Sequence, residues 1–80
     1  MSSEQPAEPL ATVRARKLLS QRDLAEKAGI ALSTVWNLEN GHTSRTTFKV
    51  MRAVSEALGV TPQSIAEFRR VLDSRSSRGR

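Results

Sequence analysis

The stretch QRDLAEKAGIALSTVWNLENG, residues 21 to 41, decides the fold. It reads as two short helices separated by a few residues. Ser20 caps the first, and Asp23 sits in its first turn, where negative charge is favoured. Leu24, Ala25 and Ala28 form its inner face. Gly29 ends it, as a residue able to take a left-handed conformation does. The second helix covers Leu32 to Asn40, and Gly41 closes it. The short connection forces a tight turn at a steep angle, which sets three steric needs. Ala25 is small enough to let the helices approach. Gly29 tolerates positive φ. Val35 plugs the corner, with Leu38 one turn further on.

Together these features make a helix-turn-helix pattern. The flanking sequence supplies three more helices. Helix one runs from Pro9 to Leu18, with Leu10 and Val13 facing in and proline suited to the first turn. Thr47 caps helix four, whose apolar positions Phe48, Met51, Val54 and Leu58 follow a 3.6-residue period and which Gly59 ends. Thr61 and Pro62 start helix five, which carries Ile65, Phe68 and Leu72 to the core. The reading is all-α: a five-helix bundle over residues 9–72, a disordered arm over 1–8 and a flexible Arg-rich tail over 73–80.

Eighty residues make one small domain with a modest core. With no cysteine and one histidine, His42, thiolate and multi-histidine metal sites are excluded, and His42 reads as a loop surface residue. No nucleophile–base pair or carboxylate dyad stands at useful spacing, so the expectation is no enzyme, no cofactor and no metal. No apolar run approaches a membrane span, and MSSEQPAEPL has no signal-peptide core, so a cytoplasmic, nucleoid-associated protein is expected. Thirteen Lys and Arg against eight Asp and Glu give +5. Setting aside Arg75, Arg78 and Arg80 leaves ten against eight, so the body is only mildly basic. Arg22 and Lys27 read as solvated charges, and the tail as either a solvated end or a non-specific phosphate clamp.

A helical wheel on the second helix of the motif, at about 100° per residue with Val35 at zero, puts Leu38 and Glu39 on the buried side. Ser33, Trp36, Asn37 and Asn40 share the outward face. A helix that only packs would carry Lys and Glu there. Uncharged hydrogen-bonding groups suit a DNA major groove: Asn pairs with N6 and N7 of adenine, Ser donates or accepts, and apolar surface meets thymine methyl groups. Trp36 has three readings: a flank of the core, a contact with DNA, or an anchor for a protein partner.

The segment Gln21 to Phe48, with SQRDLAEKAG, LENG and EALGVTP as matching pieces, resembles the Cro/repressor-type helix-turn-helix domains of the xenobiotic response element family, of which the lambdoid phage repressors are members. The resemblance covers about residues 10 to 72. It implies a five-helix domain that binds double-stranded DNA as a homodimer on half-sites about 34 Å apart. It implies base contacts from Leu32, Ser33 and Asn37, with Trp36 beside them. Backbone contacts are implied for Gln21, Thr34 and the loop carrying Asn40, His42, Thr43 and Arg45. Arg14 and Glu39 match a bridging ion pair. Thr46, Val60 and Pro62 match dimer contacts.

The sequence departs from that pattern at four places. Ala31 stands where a Ser or Thr cap often begins the recognition helix. Leu18 replaces a frequent glycine. Leu32 is apolar where many relatives read a base with an amide. Thr46 and Thr47 fill positions that are often Pro or basic. The leading expectation is a transcriptional regulator, a repressor, reading a palindromic operator. The alternative is an antitoxin or bridging module that uses the same fold to bind a protein partner such as a toxin or polymerase. A third reading is a sequence-blind binder of RNA or acidic membranes.

Overall fold

The computed structural model describes residues 6–78, with side chains over 6–75. It contains α1 (Leu10–Arg16), α2 (Gln21–Ala28), α3 (Leu32–Glu39), α4 (Phe48–Leu58), a 3-10 turn (Pro62–Ser64) and α5 (Ala66–Arg78). The described residues are all-helical apart from one isolated backbone bridge between Glu8 and Ile65.

Local chemistry fixes each boundary. Ser20 and Asp23 form a reciprocal capping box at α2, each bond 3.0 Å. The Thr47 hydroxyl accepts from Val50 N–H at the start of α4. α1 has no cap from its own preceding residue. Instead, Glu67 on α5 accepts from Leu10 N–H at 2.8 Å, which ties the first helix to the last and places a carboxylate at a helix N-terminus.

Three helices end the same way. Ile30 N–H bonds Ala25 C=O, Val60 N–H bonds Ser55 C=O, and Leu19 N–H bonds Arg14 C=O. This Schellman closure needs a left-handed residue just before the donor. Gly29 (φ 72°) and Gly59 (φ 70°) supply it without strain; in α1 the same place is held by Leu18 at φ 62°. Helix one therefore stops at Arg16 rather than running through Leu18. A leucine taking the glycine's conformation hides this stop from composition.

The core is built from Leu10 and Val13 of α1, Leu24 and Ala25 of α2, Val35 and Leu38 of α3, Met51, Val54 and Leu58 of α4, Ile65, and Phe68 of α5. Ala28 and Leu72 pack only partly buried against it. Phe48 departs from its expected place: it is 51% exposed and carries the Arg75 guanidinium 4.9 Å above its ring. As the first residue of α4 it has no preceding turn to press it inward.

Two further boundaries differ from the sequence reading. Pro62–Ser64 is a separate 3-10 turn, and α5 begins only at Ala66. Ile65 between them is extended (φ −101°, ψ 121°) because its backbone pairs with Glu8. Glu8 N–H bonds Ser64 C=O at 3.0 Å, and Ala66 N–H bonds Glu8 C=O at 2.7 Å. Glu8 also receives two hydrogen bonds from Arg16, at 2.7 and 2.6 Å. The end of the arm is thus stitched to the domain; its residues 1–5 lie outside the described residues. At the other end α5 continues through Arg78, past the expected limit at residue 72. Arg75 anchors that extension by donating to Thr46 C=O at 2.6 Å. The tail's last two residues, and the side chain of Arg78, lie outside the described residues.

Candidate nucleic-acid interface

α3 stands against α2 with Val35 and Leu38 turned fully into the core. On the opposite side, Ser33, Asn37 and Asn40 are exposed, with Trp36 50% and Leu32 41% exposed. Thr34 is half-buried at the edge. Among the described residues, the side chains of Ser33 and Asn37 make no hydrogen bond within the chain, so both keep their donors and acceptors for a ligand.

The charge pattern follows from Glu39. It is the one charged residue of α3, and its side chain is only 7% exposed. Arg14 Nε donates to one of its oxygens at 2.5 Å and Nη2 to the other at 3.2 Å. Gln21 Nε2 adds a third bond at 2.9 Å. Arg14 Nη1 reaches Leu19 C=O at 2.7 Å. A carboxylate saturated in this way is neutralised and held off the surface. The outward face of α3 is left without charge; Arg22 and Lys27 on α2 and Arg45 in the loop after α3 are exposed.

Gln21 therefore has a partner that spacing does not reveal. Its amide nitrogen donates to Glu39, and its carbonyl oxygen, at the start of α2, makes no hydrogen bond among the described residues. His42 is the second surprise. Its ring stacks on Trp36 with centroids 5.9 Å apart and planes 21° from parallel. His42 N–H bonds Asn37 C=O at 2.8 Å, and Asn40 Nδ2 donates to Trp36 C=O at 2.8 Å, so the residues after α3 fold back along it. Trp36 is thus a half-exposed aromatic braced from one side by His42.

These features converge on a helix presented to a partner. Comparison with protein families agrees: the family model described as Helix-turn-helix matches residues 10–65. The chain belongs to the Cro/repressor-type helix-turn-helix family. No curated protein and no solved structure matches the chain significantly. Membership makes this a DNA-binding, regulatory domain of a family that is not enzymatic. Among the described residues no helix is long and apolar enough to cross a membrane.

Within the family's motif, α2 and α3 form the two helices of the turn. Of the residues that the resemblance assigns to DNA, Leu32, Ser33, Trp36 and Asn37 lie on one face of α3. Asn40, His42 and Arg45 are exposed beyond its end, Thr43 is half-buried there, and Gln21 lies half-buried at the start of α2. Of the residues assigned to dimer contacts, Val60 and Pro62 are half-buried and neighbours in sequence. Thr46 is 8% exposed, and its C=O accepts from Arg75.

Proposed function

We propose that this protein is a sequence-specific transcriptional regulator, acting as a repressor, that lays α3 in the major groove of a palindromic operator. The observation that carries the reading is that Ser33 and Asn37 are exposed and, among the described residues, make no side-chain hydrogen bond, on a helix whose one charge is buried. Asn37 reads adenine by a bidentate pair, Ser33 reads a neighbouring base edge, and Leu32 and Trp36 supply apolar contact to thymine methyl groups and sugar. Gln21, Thr34, Asn40, His42, Thr43 and Arg45 fix register on the phosphates. The active form is a homodimer on half-sites about one helical turn apart, joined through Val60, Pro62 and the loop at Thr46. Occupying such a site excludes polymerase.

Selection of bound sites from a random duplex pool tests this reading. An enriched, two-fold symmetric sequence is the expected result. A pool that stays unenriched while binding weakens steeply with salt would replace it with sequence-blind phosphate binding.

A further inference from the structure

The loop after α3 and the middle of α5 enclose a second polar feature, apart from the outward face of α3. An open pocket there is lined by Thr43, Ser44, Arg70, Val71, Ser74 and Arg75. The four α5 residues have the spacing i, i+1, i+4, i+5, which places them on one side of the helix. The lining residues carry two guanidiniums, three hydroxyls and no carboxylate. Asp73 falls on the adjoining face, about 60° past Arg70, and Glu67 is engaged with Leu10 N–H.

The two arginines differ in how they are held. Arg75 is positioned: it donates to Thr46 C=O and lies over Phe48. Neither partner neutralises it, and a guanidinium retains further donors after one bond to a carbonyl. Arg70 is exposed and, among the described residues, has no hydrogen bond or ion pair. Two cations lining one depression repel each other, and an anion held between them relieves that repulsion. A carboxylate's two oxygens are saturated by one bidentate arginine. Two forks plus three hydroxyls match an anion with more oxygens, directed tetrahedrally.

We propose that this pocket binds a phosphate group. The phosphate comes either from the DNA backbone beside α3 or from a free phosphate-bearing ligand. The site itself does not depend on the operator reading; only its assignment to DNA does. Thr43 and Ser44 lie in the loop that leads out of α3, so a phosphate held here would tie α5 to that loop.

The test uses the full chain. Amide spectra are recorded while sodium phosphate replaces chloride at constant ionic strength. Saturable shifts at Thr43, Ser44, Arg70 and Ser74 are expected. Arg70→Gln should abolish them, Ser74→Ala should weaken them, and Arg22→Gln should leave them intact. Arg70 and Ser74 are exposed, so both variants should melt as the parent does. In a second arm, the salt slope of duplex binding is compared for the parent and Arg70→Gln. A slope smaller by about one assigns the phosphate to DNA. An unchanged slope with intact phosphate shifts assigns it to a free ligand. Shifts that rise linearly without saturating, or that persist in Arg70→Gln, overturn the proposal. The phosphate arm decides even if no duplex is bound.

Discussion

Arg14 and Glu39 lock three helices at one point. The Arg14 fork spans both Glu39 oxygens, Gln21 completes the carboxylate, and the far side of the guanidinium holds Leu19 C=O. The pair joins α1 to the end of α3, and Gln21 brings in the start of α2. Its side chains are 18% and 7% exposed, so losing one partner strands the other away from water.

Glu39→Ala should therefore cost about 2–4 kcal/mol, toward the lower end of what a fully buried pair loses because Arg14 keeps some solvent. Chemical denaturation measures it. Arg14→Ala should cost a similar amount, and the double variant less than the sum of the two. Additive losses would mean that the pair does not act as a unit.

Leu18 carries a strain that can be removed. It is 90% exposed and sits at φ 62° in the same closure that Gly29 and Gly59 make. The left-handed conformation costs a leucine about 1–2 kcal/mol, partly offset in Leu18→Gly by the greater freedom of glycine when unfolded. A net gain of about 0.5–1 kcal/mol is expected. A loss on thermal denaturation would show that the Leu18 side chain contributes a contact.

Ser55 offers a second gain. Its hydroxyl is buried in α4 with no hydrogen-bond partner among the described residues. Ser55→Ala removes a stranded polar group and improves helix propensity, so stability should rise by about 1 kcal/mol. Destabilisation on denaturant titration would mean that the hydroxyl is satisfied by water in solution.

Acid should unfold the domain partly through two exposed carboxylates. Ser20 N–H bonding holds Asp23 below its ordinary pKa, and hydrogen bonds from Arg16 do the same for Glu8. Both pKa values are depressed in the fold. The stability they add is complete above the unfolded carboxyl pKa, about 4, and is lost as pH falls through the folded values. Melting temperatures between pH 7 and pH 2 should drop, and Asp23→Asn with Glu8→Gln should flatten that drop. An equally steep drop in the double variant would place the acid sensitivity elsewhere.

The sequence announces those features that depend on near neighbours. The wheel of α3 separates Val35 and Leu38 from Ser33 and Asn37, and it turns Glu39 inward. Ser20 with Asp23, and Gly29 and Gly59, announce their caps because the chemistry of a helix end is local. What it conceals depends on distant backbone. Ile65 is extended because Glu8 pairs with it, and α1 begins against Glu67; no window of a few residues contains either fact. Phe48 fits the period of α4 yet lies at its open end under Arg75. Leu18 hides a helix stop because its conformation is one that leucine rarely takes. At the interface, the outward set on α3 is readable from periodicity. The Gln21–Glu39 bond and the His42–Trp36 stack are not, because each joins separate parts of the chain.

The most direct measurement compares the parent and Asn37→Ala on a panel of duplexes carrying every single-base change in a selected site, with Trp36 emission as the readout. Trp36 is the sole tryptophan, and there is no tyrosine. Asn37→Ala should lose about 1–3 kcal/mol on the selected site and become indifferent at one base pair in each half-site, keeping its discrimination elsewhere. A loss of the same size on every duplex, with all base preferences retained, would contradict base reading by Asn37.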